Sequence, residues 1–158
     1  MKRPGVNKKR GSLIELGCGV TLCSNSGANP VAEGGRCHLA TLDEAAEIRI
    51  ADNVGLSSVI ICAAKHVQIG EGTIIGGGAI IMDTDFHERG ADGAWKTSHV
   101  GTSMGIVIGK RCFIGARAIL LKGVILGDDV VVGAGAVVTG KHGAGKTLVG
   151  NPARELSK

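Results

Sequence analysis

The segment Ile81-Met-Asp-Thr-Asp-Phe-His87 sets a carboxylate and an imidazole two residues apart, at Asp85 and His87. Imidazole exchanges a proton near neutral pH and serves as a general base toward a hydroxyl or an amine. A carboxylate beside it can orient the ring, touch a substrate, or cap a turn. A lone histidine of this kind ordinarily just opens a solvated loop. Here it interrupts a repeat: counted onward from Ile81, inward positions are predicted at 85 and 87, and both are polar. The chain then runs to Gly105 without repeat character before Ile106 resumes it. This inserted loop, at about 88–105, is the kind of excursion that repeat scaffolds place on a binding face. It holds Trp95, the single tryptophan, which could stack on a sugar or a cofactor or pack the loop itself.

The elements that must position these residues follow from a six-residue period. Ile, Leu or Val recurs at Ile69, Ile75 and Ile81, then at Ile108, Ile114, Leu120, Leu126, Val132 and Val138. Two places earlier stands a small or branched residue: Val67, Thr73, Ala79, Ile106, Cys112, Ala118, Val124, Val130 and Ala136. Strand residues two apart point the same way, so both sets turn inward. One hexapeptide makes a short strand and a turn, and three complete a triangular coil bonded to the coils above and below. The glycine that usually follows the aliphatic residue, as at Gly70, Gly109 and Gly127, is read as giving the corner its unusual backbone angles. The fold expected is all-β, a left-handed parallel β-helix of hexapeptide repeats with an inserted active-site loop. A single domain over 1–158 is expected, closing with a segment at 140–158.

Earlier, Ile48/Ile50, Val54/Leu56 and Ile60/Cys62 keep the frame, which is expected to slip by one residue before Val67. Ile14/Leu16 and Val20/Leu22 read as a first partial coil, and Ser24 to His38 as a polar loop. Asp43 to Glu47 fits either a helical turn or a polar corner. The basic opening, Met1 to Arg10, reads as a solvated, frayed terminus rather than a surface for nucleic acid or lipid.

Composition agrees with a narrow core. Phe, Tyr and Trp make up 2% of 158 residues, while 27 are glycine. Five cysteines form an odd set without a secretory signal, which points to a reducing, cytoplasmic setting and not to a disulfide framework. No apolar run is long enough to span a membrane. Cys62 and Cys112 are expected inward, as small apolar residues and not as acyl-accepting nucleophiles. From residue 106 onward, eight Lys and Arg face three Asp and Glu, against a net charge of +4 for the whole chain. Such a cluster would attract an anionic ligand.

The hexapeptide array, the Ile81–His87 segment, the loop and the closing Leu148-Val-Gly-Asn-Pro-Ala-Arg154 together resemble the hexapeptide-repeat acyltransferases, in particular their sugar O-acetyltransferase branch. The resemblance implies a homotrimer that binds acetyl-CoA between adjacent helices and uses no metal. It also implies direct transfer to a sugar or glycan hydroxyl, with His87 as general base and Asp85 beside it. Family positions for the donor fall on Ala116, Ala134, Thr139 and Arg154. Lys141 and Lys146 stand as alternatives for a phosphate contact, since Gly140 occupies the place where the family often has lysine. Family positions for the acceptor fall on Ser57 and Lys65, with Trp95 in the loop. The asparagine and aspartate of galactoside-type members are missing there, so the resemblance does not carry over their sugar.

Other readings remain. N-acetylation of an amino-sugar nucleotide needs only a different acceptor. A serine acetyltransferase would ordinarily bring a helical N-terminal domain for which there is no room. A trimeric carbonic anhydrase on the same coil needs histidines close in sequence for zinc, and the five here supply no such pair. A non-catalytic scaffold also stays open, because fold does not dictate function.

Overall fold

The computed structural model of the chain describes residues 3–24 and 35–156. Among them, strands stack into three parallel sheets that form the faces of a left-handed prism. The first face takes Gly5–Asn7, His38–Thr41, Ile60–Ala63, Ile80–Met82, Ile119–Leu120 and Val137–Val138. The second takes Leu13–Leu16, Glu47–Ile50, His66–Ile69, Ile106–Ile108, Ile125–Leu126 and Lys141–His142. The third runs through Thr21–Cys23, Gly55–Ser57, Ile74–Ile75, Phe113–Ile114, Val131–Val132 and Thr147–Gly150. After the cis Asn151–Pro152 peptide, Ala153–Glu155 turns back antiparallel onto Thr147–Gly150.

The register explains the period. Ile61, Ile81, Leu120 and Val138 lie over one another on the first face, and Leu56, Ile75, Ile114, Val132 and Leu148 on the third. All of these side chains are buried, as are Val67, Thr73, Ala79, Cys112, Ala118, Val124, Val130 and Ala136. A prism this narrow has room for aliphatics in layers and for no aromatic ring.

Several expectations need correction. The basic opening is not frayed where it is described: Gly5–Asn7 pairs with His38–Ala40 and extends the first face. Asp43 to Ala46 is a polar corner, and Glu47 already begins a strand. The frame shifts earlier than expected. Val59 and Ile61 are the buried pair, one residue ahead of Ile60 and Cys62, so the step from Leu56 is one residue short. It occurs at Ser58, where φ is +49°. Cys62 therefore points outward and is half-buried, whereas Cys112 is inward as expected. The next corner, between Ile61 and Ile69, compensates with two extra residues. The Ser24–His38 loop lies largely outside the described residues.

The reason for the recurring glycine also changes. Positive φ angles fall two residues after it, at Gly72, Gly78, Arg111, Arg117, Asp129 and Gly135. The glycines directly after the aliphatic residue are needed for clearance. A Cβ on Gly70 would stand 2.5 Å from the carbonyl carbon of Gly109, and one on Gly109 2.5 Å from that of Gly127.

Candidate functional site

The corner between the first and second faces is where the regular coil breaks. The inward alternation of Ala79 and Ile81 continues one step further, to Asp83, which is fully buried. Its two oxygens accept the N–H groups of Ala64 at 2.6 Å and Lys65 at 2.7 Å. These are the surplus residues of the corner below, whose amides no strand can pair. Asp83 thus closes that irregular corner. Thr84, also buried, donates its hydroxyl to the His99 carbonyl at 2.7 Å and accepts the Phe86 N–H at 3.2 Å. The excursion leaves the coil at Thr84 and returns at Met104, whose N–H bonds the Asp83 carbonyl at 2.8 Å. Gly105 then gives room to the His66 imidazole, which would lie 2.1 Å from a Cβ at that position.

Positions 85 and 87 are not inward. Both are exposed, because the chain has already left the prism at Thr84. Asp85 forms an ion pair with Lys122 in the following coil and so ties the root of the excursion to the prism. Phe86, at φ +62°, packs edge-on against the His99 ring, with centroids 5.9 Å apart.

The excursion is more ordered than a loop. His87–Arg89 pairs antiparallel with Trp95–Thr97, and the turn between them uses Gly93 at φ +80° and an Asp92 carboxylate bonded to the Ala94 N–H. Both strands are exposed at every residue. The Asp92-Gly93 pair is the turn signal that would have found this hairpin. His87 therefore sits on a projecting arm.

The donor candidates are spread over several corners, and Thr139 among them shares the first–second edge with the arm. Ala116 and Ala134 are stacked on successive coils at the edge between the third and first faces, joined by the Gly135 N–H to the Ala116 carbonyl at 2.9 Å. Thr139 follows the last strand of the first face, its carbonyl 2.9 Å from His142 Nε2. Lys141 is exposed, Lys146 pairs with Glu155 at 3.0 Å, and the exposed Arg154 bonds the Ala153 carbonyl. Of the acceptor candidates, Lys65 stands at the root of the arm, whereas Ser57 lies at the edge with Ala116. The first face separates the two groups. One chain alone does not bring His87 to Ala116 and Ala134.

Burial pushes the thiols of Cys62 and Cys112 above their ordinary range, which leaves them poor nucleophiles. Among the described residues, no three His, Cys, Asp or Glu side chains come together to hold a metal. Among the described residues, no helix is long and apolar enough to cross a membrane. A groove of about 550 Å³ runs over the second face between Glu15, Arg49, Gln68 and Val107, and none of the candidates lines it.

Burial also pushes the Asp83 carboxyl above its ordinary 3.8, against the pull of the N–H donors and His66. A carboxyl that binds its proton more tightly when folded stabilises most at low pH, and loses that contribution as pH rises from 3.8 through the raised value. Asp83→Asn abolishes this titration and turns one acceptor into a donor facing an N–H, at a cost of about 1–3 kcal/mol. In urea unfolding from pH 4 to 7, the wild type's advantage over Asp83→Asn should shrink as pH rises. An advantage that grows instead contradicts this account.

With this geometry in view, likeness to known proteins is informative. A family model described as the hexapeptide repeat of succinyl-transferase matches residues 105–140. The putative lipopolysaccharide biosynthesis O-acetyl transferase WbbJ of Escherichia coli K12 is 29% identical over 118 residues, 70% of this chain and 60% of that one. The serine acetyltransferase of Helicobacter pylori is 36% identical over 94 residues, 58% of this chain and 50% of that one. The chain thus spans 50–60% of the length of these curated relatives. The crystal structure of PerB from Caulobacter crescentus, in complex with CoA and GDP-perosamine, superposes with a TM-score of 0.61 at 19% identity over 97% of this chain and 55% of that one. The chain thus has the left-handed β-helical fold of these structures and a hexapeptide-repeat segment at residues 105–140, and its sequence likeness is to acetyltransferases.

Proposed function

We propose that the protein is an acetyl-CoA-dependent O-acetyltransferase that acts on a sugar or glycan hydroxyl as a homotrimer. The observation that carries this is an exposed histidine on an ordered arm, at the break in an otherwise regular coil. Sequence likeness to an O-acetyl transferase favours the hydroxyl over the amine of the N-acetyltransferase alternative. Five free cysteines suit a reducing cytoplasm.

In the proposed step, a sugar hydroxyl attacks the thioester carbonyl while His87 takes its proton. The tetrahedral adduct then collapses: a C–O bond has formed, the C–S bond breaks, and the leaving thiolate takes the proton back from the imidazolium. The acetyl ester and free CoA leave, and the imidazole is restored. Ala116 and Ala134 leave space for the pantetheine arm along the prism edge. Thr139, Lys141, Lys146 and Arg154 supply polar and cationic groups at its nucleotide end, where a guanidinium binds phosphate oxygens in pairs.

A second copy completes the site, because His87 and the edge that carries Ala116 and Ala134 lie on opposite sides of the first face. The outer surfaces are suited to one. Ile60, Ile80, Ile119 and Val137 form an outward apolar column on the first face, and Ile74, Phe113 and Val131 another on the third. Contiguous apolar surface of this kind marks an interface. A two-stranded hairpin is also marginal without something to lie against.

Thiol release from acetyl-CoA, measured with panels of sugars, amino sugars and sugar nucleotides, tests the reading. Turnover on a hydroxyl is expected. Preference for an amine moves the protein to the N-acetyltransferases. No acetyl-CoA binding or consumption leaves a scaffold.

A further inference from the structure

The pairing of the arm decides which of its side chains share a face. His87 lies opposite Thr97, Glu88 opposite Lys96, and Arg89 opposite Trp95. Directly opposed residues project on the same side, and so do residues two apart on one strand. One face of the hairpin therefore carries His87, Arg89, Trp95 and Thr97. The other carries Glu88 and Lys96, whose charges oppose each other.

Arg89 is the charge left over. Its Nε donates to the Gly93 carbonyl at 3.3 Å, and among the described residues no carboxylate pairs with its guanidinium. The nearby acids are turned elsewhere. Asp92 caps the Ala94 N–H, Asp85 is held by Lys122, and Glu88 is on the opposite face. Beside Arg89 stands Trp95, a flat apolar ring that is 71% exposed. An indole offers its face to the C–H side of a pyranose, and a planar guanidinium fork binds a carboxylate or phosphate in paired hydrogen bonds.

We infer that Arg89 and Trp95 select an anionic sugar as acceptor, with the ring stacked on Trp95, its acid group on Arg89, and a hydroxyl presented to His87. This deepens the proposed O-acetyltransferase and rests on it for the fate of the hydroxyl. The recognition itself can be tested apart from turnover, because Trp95 is the only tryptophan and its fluorescence reports on this face alone.

The full chain is titrated with three probes: a hexuronate, a hexose phosphate, and the neutral parent hexose. A saturable change in Trp95 fluorescence is expected with an acidic sugar, at an affinity about 10–100-fold above that for the neutral hexose, the worth of one paired charge-assisted contact. Whichever acid responds names the anion as carboxylate or phosphate. Arg89→Gln should erase that preference, Arg89→Lys should restore part of it, and the KM for acetyl-CoA should not move. Equal response to neutral and acidic sugars, or an Arg89→Gln variant that keeps the preference, overturns the inference. So does a raised KM for acetyl-CoA with acceptor preference intact, which would give Arg89 to the donor. Thiol release in the same samples reports separately on the transferase reading. Binding selectivity without transfer sinks that reading and leaves the anion site standing.

Discussion

Replacing His87 with alanine is expected to lower kcat by about 10²–10⁴-fold while the KM for acetyl-CoA stays where it is. That range is the usual worth of a positioned general base, and a sugar hydroxyl has no other means of shedding its proton as it attacks. The variant should fold as the wild type does, since His87 is exposed and its partners across the hairpin are backbone groups. Thiol release at saturating acetyl-CoA reads kcat, and varying acetyl-CoA separates its KM. If affinity for acetyl-CoA falls together with turnover, His87 is a cofactor contact and the base lies elsewhere. A mixed assembly adds a test of the shared site. Ala134 is exposed, so Ala134→Trp obstructs the prism edge without disturbing the core. Neither His87→Ala nor Ala134→Trp should be active alone, yet co-assembled subunits should regain a fraction of wild-type turnover, because some interfaces then pair an intact arm with an intact edge. No recovery in mixed assemblies would place both groups in one chain's site.

The coil is legible in the sequence because its physics is local and repeated. Each inward pair, from Val67/Ile69 to Ala136/Val138, carries the same signature, and a narrow prism tolerates little else. What the period does not reveal are the places where it bends. Ser58 shortens one step with a left-handed backbone, and the next corner lengthens by two residues. A fixed stride spreads such an error until the next clear repeat, and so puts Cys62 inward. Asp83 escapes notice for a related reason. It continues the inward alternation after Ile81, but a carboxylate there makes sense only once the unpaired amides of Ala64 and Lys65 are seen, and those sit on a different coil. The arm is the opposite case. His87 and Trp95 stand out as chemistry, but the register that puts Arg89 beside them is a property of the hairpin and not of the repeat.

Glycine clearance leads to the largest expected effect on stability. Gly70, Gly109 and Gly127 stand in one column at the edge between the second and third faces, and neighbouring coils approach there through backbone alone. A methyl group on Gly109 would meet the carbonyl carbon of Gly127 at 2.5 Å, its oxygen at 2.6 Å and the Asp128 nitrogen at 2.7 Å. No side chain is present to swing aside. The coils can separate there only by stretching the bond that Gly109 N–H makes to the Leu126 carbonyl at 2.9 Å. Gly109→Ala should therefore destabilise by about 3 kcal/mol or more, the upper end for overpacking a close-packed interior, read as a lowered urea midpoint. Gly135 supplies the contrast. It has the positive φ of +69°, and its added Cβ meets nothing within 4 Å. Gly135→Ala should cost only the backbone strain of a left-handed residue, about 1–2 kcal/mol. Arg111, Arg117 and Asp129 already bear that strain at equivalent corners. If the two variants fall in the reverse order, backbone angle and not clearance is what requires glycine in this repeat. Coil-to-coil contact at Gly109 also bears on function, because the coil it belongs to follows directly on the return of the arm at Met104. Spreading the coils there would loosen the frame that holds Asp83 and the root of the arm.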